Sequence, residues 1–282
     1  MFTGSESSEG TKVNRLRRWA IAALLVASTP WAHALVFAVN EGVTYRVPSD
    51  EIRARYAVIA ADLSTLLQQP VRVEPIGDYP SLRRGLAEKA YDLAMVHPAH
   101  LSIGAIKNSG YKLVVVTKGY LQYQASFMVR ADSKLTTLAD LKGRRLGAPD
   151  EDSITSWIVR ASLRDAGVDL RDVAMFYTRY QDAVPFFVEN NLTHAGASAA
   201  NSVVKDWLAK GGKVIFKSKP VPIKHVIASP NLSPEQVQKV RDYLLSLDTS
   251  DAGKKKLEPT KYQGFVTYDE AAMLAIGKWL GL

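Results

Sequence analysis

Apolar positions along this chain follow two rhythms, short unbroken runs and stripes spaced three and four apart, and the two take turns. Leu35–Val39 is a run suited to a strand covered on both faces. Beyond Ser49, a residue type that caps helices, Ile52, Tyr56, Ile59, Ala60, Leu63, Leu66 and Leu67 recur at helical spacing. Gln68-Gln69-Pro70 stops that pattern, and Val71–Ile76 predicts a strand. Asp78-Tyr79-Pro80 opens a second helix, with proline in the first turn where its missing donor costs little. Leu82, Leu86 and Ala90 form its expected inner stripe. Asp92–Val96 predicts the next strand, and His97-Pro98-Ala99-His100 the start of the helix behind it.

Leu113–Thr117 and Ser126–Val129 are two further strands, and from Leu138 to about Pro220 the alternation repeats. Arg145–Ala148 leads into a helix with Ile154, Trp157, Ile158 and Ala161 on one face. Val173–Tyr177, a helix through Phe186 and Phe187, and His194–Ala197 follow. A helix over Asn201–Ala209 ends at Gly211-Gly212, before Val214–Lys217. Lys224–Ala228 reads as a returning strand, Ser233-Pro234-Glu235 as a helix start, and 270–280 as a terminal helix. Alternation of this kind argues an α/β fold with mixed, mostly parallel sheets flanked by helices. Two such blocks, joined around Tyr123–Arg130 and again around Lys219–Val226, imply two lobes, two hinge crossings and a cleft. The expected boundaries are 35–124 with 227–282 for the first lobe and 125–226 for the second. That layout suits capture of a small ligand by closure.

The first 34 residues read as a signal peptide. Lys12, Arg15, Arg17 and Arg18 form a basic region, Trp19 to Ala27 an apolar run too short for a bilayer, and Ala32-His33-Ala34 a cleavage site. A span takes roughly 20 residues. General secretion with a cut after Ala34 is expected, and the Arg17-Arg18 pair fits twin-arginine export poorly. The chain has no cysteine. A lipidated N-terminal cysteine, disulfides, thiolate chemistry and cysteine zinc sites are thereby excluded. An exported chain without a membrane anchor points to the periplasm. The formal charge of +8 falls to about +6 once the leader is removed, which is mildly basic. Attraction to anions and plain solubility both account for it. No basic run with interleaved aromatics suggests nucleic acid.

The stretch Thr136–Gly147, TTLADLKGRRLG, gives a helical turn ending on Leu141, a Lys-Gly break and a strand. Ala148-Pro149-Asp150-Glu151-Asp152-Ser153-Ile154-Thr155-Ser156 then places hydroxyls and helix amides at the carboxyl end of that strand, where open α/β sheets bind small ligands. Ser153, Thr155 and Ser156 are therefore candidate ligand contacts, with helix capping the alternative. Tyr45 and Arg46, in the loop after the first strand, lie on the same expected rim. His97 and His100 could donate to a ligand or serve the turn. Two histidines three apart can share a metal, but no further ligand stands near them, so neither metal nor cofactor is expected. Tyr123 at the hinge could cover the ligand or pack the crossing. Ser198 after a strand and Lys224 on the second crossing complete the candidates, with Asn201 equally readable as a cap. No Gly-x-Ser-x-Gly, Walker loop, Gly-x-Gly-x-x-Gly or His-Glu-x-x-His is present, and an enzyme is not expected.

With its segments in this order the chain resembles the periplasmic solute-binding proteins of the phosphonate-uptake type, within the two-lobed type 2 periplasmic-binding-protein fold that feeds ABC transporters. The resemblance runs over nearly all of Phe37–Leu280. It is carried by Phe37-Ala38-Val39-Asn40-Glu41-Gly42-Val43-Thr44-Tyr45, by Tyr91-Asp92-Leu93-Ala94, and by Ser126-Phe127-Met128-Val129 leading to Leu138-Ala139-Asp140-Leu141-Lys142-Gly143. In such relatives a Ser-Thr-Ser-Gly type motif holds the phosphonate oxygens. Here it corresponds to Ser153-Ile154-Thr155-Ser156, with Ile154 in place of a hydroxyl and Trp157 where a small residue is usual. A histidine in the next loop of those relatives corresponds to Tyr180, which can still donate. Acidic residues that hold an aminoalkyl ammonium in some members fall near Ala200 and Lys224-His225, so the resemblance implies a ligand without an amine. Asp150, Glu151 and Asp152 would repel a dianion unless they point away.

The expectation is a monomeric binding protein that holds a small oxyanion, phosphonate-, phosphate- or phosphite-like, and delivers it to the membrane permease of an ABC transporter. A binder of an organosulfonate, a carboxylate or a zwitterion, and a sensing module for a membrane receptor, are the alternatives.

Overall fold

Most of the unbroken apolar runs become strands with few exposed side chains, 174–177 and 213–217 at the sheet edges being the exceptions, and the three-and-four stripes become the buried faces of helices. The computed structural model describes residues 1–4, 33–42, 44 and 47–282, and the folded unit runs from Ala34 to Leu282. Most of the signal segment, together with Tyr45 and Arg46, lies outside the described residues. No helix among those residues is long and apolar enough to cross a membrane.

The first sheet has six strands: β1 (Leu35–Asn40), β2 (Val71–Pro75), β3 (Leu93–Val96), β4 (Lys112–Thr117), β10 (His225–Ala228) and β11 (Phe265–Val266), in the order β11-β4-β10-β3-β1-β2. β1 runs parallel to both neighbours, with Phe37 opposite Leu93 and Val39 opposite Met95. β10 inserts antiparallel between β3 and β4. The second sheet holds β5 (Ser126–Val129), β6 (Arg145–Ala148), β7 (Ala174–Tyr177), β8 (Ala195–Ser198) and β9 (Lys213–Lys217), in the order β7-β6-β8-β5-β9. β6 is parallel to β7 and β8, while β5 is antiparallel to β8 and β9. The chain builds four strands of the first sheet, crosses to complete the second, and returns with β10. The two crossings lie side by side, joined by an antiparallel bridge of Tyr123 and Val221 with N–H···O distances of 3.2 and 2.9 Å. This is the two-lobed fold expected.

Helices cover the sheets. α1 (Ser49–Leu67) buries Ile52, Tyr56, Ile59, Ala60, Leu63 and Leu67. Its cap position is Pro48, not Ser49, which is already helical; Asp50 and Glu51 in its first turn complement the helix dipole instead. α2 (Tyr79–Ala87) is capped by Asp78, which accepts from the Ser81 amide at 2.7 Å. It ends before Ala90, which is exposed and not part of the inner stripe. α3 (Ala99–Ser109), α4 (Ile154–Asp165), α5 (Val184–Glu189) and α6 (Asn201–Ala209) follow, then α7 (Pro234–Ser246), α8 (Asp251–Leu257) and α9 (Glu270–Leu280). α7 opens on a capping box of Ser233 and Gln236. α5 packs closely on β8 because Gly196 has no side chain; a Cβ there would stand 2.7 Å from Val184. Phe186 on the same helix is 56% exposed.

Candidate functional site

The carboxyl ends of β1 and β3 in the first sheet and of β6, β7 and β8 in the second meet across one gap. Three recesses open along it. The largest, about 1080 Å³, lies between Asp78, Tyr79 and Arg83 on one side and Asp152, Trp157, Arg160, Tyr177 and Arg179 on the other. A second, about 360 Å³, sets Asn40, Glu41 and Gly42 against Arg179 and Tyr180. The third, about 420 Å³, is lined by Glu41, Tyr120 and Lys224 with Tyr123, Ala199, Ala200 and Asn201.

The β1 and β3 ends are locked together. Asn40 donates its side chain to Ile76 O at 2.7 Å and accepts from the Gly42 amide at 3.1 Å. The His97 amide donates to Asn40 O at 3.0 Å. Gly42 has φ +93°, and a Cβ there would stand 2.5 Å from the His97 ring. Only glycine suits both the backbone conformation and the contact. His97 is buried and meets Tyr123 edge to face at 6.0 Å. Burial, reinforced by the Lys224 charge, pushes its pKa well below the ordinary histidine value, so the ring is neutral.

A polar chain runs from the second sheet to the hinge. Gln181, in the turn after β7, is buried; its Oε1 accepts from Ser198 Oγ (3.0 Å) and from the amides of Ala199 (2.7 Å) and Ala200 (3.1 Å). Backbone amides only donate, which fixes the orientation of the Gln181 amide. Its Nε2 therefore donates to the Tyr123 hydroxyl at 2.8 Å, and Tyr123 lies 2.9 Å from Thr155 Oγ1. Ser153 caps α4, accepting from the Ser156 amide at 3.2 Å, and the Ser156 hydroxyl donates to Pro149 O at 3.0 Å. Of the three hydroxyls in the α4 loop, two are engaged in the cap and one in the chain to Tyr123.

Farther along the gap, Asp152 ties the loop before α4 to α2. Arg83 on α2 donates to its two oxygens at 2.6 and 2.9 Å, and the Trp157 indole donates at 3.2 Å. His100 Nε2 lies 3.5 Å from Asp152, and its ring stacks on Trp157 at 5.1 Å. Burial alone would raise the Asp152 carboxyl, but hydrogen bonds from His100 and Arg83 hold it well below the usual carboxylate range. Asp152 is thus turned onto the first lobe. His97 and His100 face different neighbours, Tyr123 and Trp157. Among the described residues no group of three or more metal-ligating side chains gathers.

The structure brings His97, Tyr123, Thr155 and Ser198 into one continuous region and places Tyr180 and Lys224 in the neighbouring recesses. His100 belongs to the Asp152 bridge. Lys224 is buried and paired with Glu41, whose carboxylate also accepts from Tyr56 and Tyr262, each at 2.7 Å. Burial would raise the Glu41 pKa, yet the Lys224 charge and the two phenols hold it below the ordinary value. Sequence reasoning did not single out Gln181 or the Glu41 pair. Gln181 follows Tyr180 directly, so a polar doublet past a strand end was the available signal. Glu41 directly follows a buried strand and is itself buried, an expensive place for a lone carboxylate.

The profile of the family described as ABC transporter, phosphonate, periplasmic substrate-binding protein matches residues 42–273. The chain belongs to this family. It is thereby a periplasmic substrate-binding component of an ABC transporter. The same fold recurs in PhnD1 from Prochlorococcus marinus (MIT 9301), solved in complex with methylphosphonate: 17% identity, 87% of this chain and 96% of that chain covered, TM-score 0.67. XAC2383 from Xanthomonas citri, solved bound to ATP, is 15% identical over 88% of this chain and 96% of its own, with a TM-score of 0.72. The periplasmic aliphatic sulphonate binding protein SsuA from Escherichia coli is 17% identical over 88% and 79%, with a TM-score of 0.54. At such identities the likeness speaks for the fold.

Proposed function

We propose that this family member captures a small tetrahedral oxyanion, phosphonate-, phosphate- or phosphite-like and without an amine, and delivers it to its ABC permease without chemical change. The observation that carries the reading is the convergence on one gap of the Gln181–Tyr123–Thr155 chain with the amino ends of α3, α4 and α6. First-turn amides have no partner within their helix, and the dipole there favours negative charge. Thr155, Tyr123, Ser198 and His97 are the proposed first contacts. Tyr180 closes one side, Ser153 and Ser156 shape the α4 turn, and Tyr45 and Arg46, which follow the first strand in the sequence, complete the proposed contacts. His100 acts through the Asp152 bridge. The lobes, 35–124 with 227–282 and 125–226, close about the Tyr123–Val221 bridge. The mature protein, cut after Ala34, works as an unanchored monomer.

Lys224 is neutralised by Glu41 and Arg83 by Asp152. Thr155 itself is joined to a hydroxyl and, through it, to an amide, neutral donors that suit a singly charged oxyanion. That observation supports an alkylsulfonate as the second reading. A thermal-shift titration of methylphosphonate, phosphite, phosphate, methanesulfonate and acetate separates them. A ligand at about 100 times its dissociation constant adds about 2.7 kcal/mol to stability. A melting point that no oxyanion moves, and that a neutral solute raises, overturns the proposal.

A further inference from the structure

The buried ammonium of Lys224 sits in surroundings built for a cation. Its Nζ pairs with Glu41 and donates to the Tyr262 hydroxyl at 3.0 Å. It also lies 4.9 Å from the centroids of both the Tyr120 and Tyr262 rings. Two aromatic faces and a carboxylate around one ammonium are the chemistry by which proteins recognise amine ligands. The carboxylate is itself held in place by the Tyr56 and Tyr262 hydroxyls. This cage is not sealed inside a lobe: Glu41, Tyr120 and Lys224 all line the 420 Å³ recess of the gap. The backbone of Lys224 has φ +62°, a conformation that non-glycine residues rarely adopt. Its carbonyl is fixed there by the Thr117 amide (3.1 Å) and hydroxyl (2.9 Å). An uncommon backbone geometry is thus maintained at the residue that fills the cage.

We propose that Lys224 is the protein's own occupant of a cation subsite at the floor of the cleft, and that by filling it Lys224 excludes ligands bearing an amine. The inference deepens the oxyanion reading, on which its ligand-exclusion clause rests. The subsite itself takes a small primary ammonium once the lysine side chain is shortened. Bulkier quaternary amines lack the N–H needed by Tyr262 and Glu41.

Truncation Lys224→Ala removes three methylenes and the ammonium, which n-propylammonium replaces atom for atom. The variant should melt below the wild type, and n-propylammonium chloride should raise its melting temperature saturably. Equal potassium chloride or tetramethylammonium chloride should not, and the wild type should not respond to the amine. Absence of this selective rescue overturns the proposal. Where the variant purifies unfolded, the amine is added during refolding. Soluble recovery with n-propylammonium alone supports the subsite, and no recovery overturns it. A second arm compares ethylphosphonate with 2-aminoethylphosphonate: wild type should prefer the amine-free ligand at least tenfold, and Lys224→Ala should lose that preference. If neither phosphonate binds either protein, the oxyanion reading fails while the propylammonium result still decides the subsite. Equal binding of both phosphonates by the wild type overturns the exclusion.

Discussion

At the scale of single residues, Gln181 governs the direction of the hydrogen bonds around it. With its oxygen filled by Ser198, Ala199 and Ala200, its nitrogen must donate to Tyr123. Tyr123 can then give its proton to Thr155, leaving the Thr155 hydroxyl to donate outward. Gln181→Glu keeps the shape but supplies only acceptors when ionised, so Tyr123 turns back and Thr155 must donate to it. Affinity for the oxyanion should fall at least tenfold, about 1.4 kcal/mol, in calorimetric titration; unchanged affinity would separate the chain from the ligand. His225 gives a second expectation. Its burial pushes the pKa from 6.5 down to about 4, partly countered by the Pro222 carbonyl. A folded pKa below the unfolded one means the unfolded chain takes the proton first as pH falls. The associated stability is present above pH 6.5 and lost toward pH 4, up to about 3 kcal/mol. Urea unfolding at pH 7 and 4.5 should show this loss, and His225→Gln should make it shallower. His97 and His100 shift the same way, so some slope should persist.

At the scale of elements, two substitutions separate the capping role of the α4 amino terminus from the binding role proposed for it. Ser153→Ala removes a cap and should cost about 1 kcal/mol in denaturant unfolding. Thr155→Val touches no cap bond, and its main effect should be a fall of tenfold or more in ligand affinity. Equal affinity losses from both would mean that the cap alone positions the site. The strands and longer helices were legible because burial on both faces, or on one, imposes their periods. α8 and β11 were not. α8 offers only seven residues with a lysine run, held by the Ser250 cap, and β11 is two residues defined by pairing with Thr117 and Val116. The strand-end loops that form the gap could also be read from order alone. Their side-chain partners could not, because the contacts join distant positions: Lys224 meets Glu41 across 183 residues, and Arg83 meets Asp152 across 69. Periodicity carries no information about such pairings.

At the scale of the whole molecule, two ties span the lobes at different places. On α4, Asp165 accepts from the Trp279 indole of α9 at 2.9 Å and from Lys219 at 2.6 Å, close to the second crossing. The Asp152–Arg83 bridge lies in the loop before α4, facing α2, with side chains 29% and 51% exposed. Because that pair is partly solvated, its coupling should be about 0.2–1 kcal/mol despite its geometry. A contact of that size biases closure without locking it, which a capture protein requires if ligand affinity is to decide the equilibrium. A double-mutant cycle of Arg83→Ala and Asp152→Ala, read by denaturant unfolding, should return a coupling in this range. In solution scattering without ligand, Asp152→Ala should have a larger radius of gyration than the wild type, and saturating oxyanion should bring the two together. A variant as compact as the wild type in both states would mean that the bridge does not control opening, and that closure is set by the Tyr123–Val221 crossing and the α4–α9 tie.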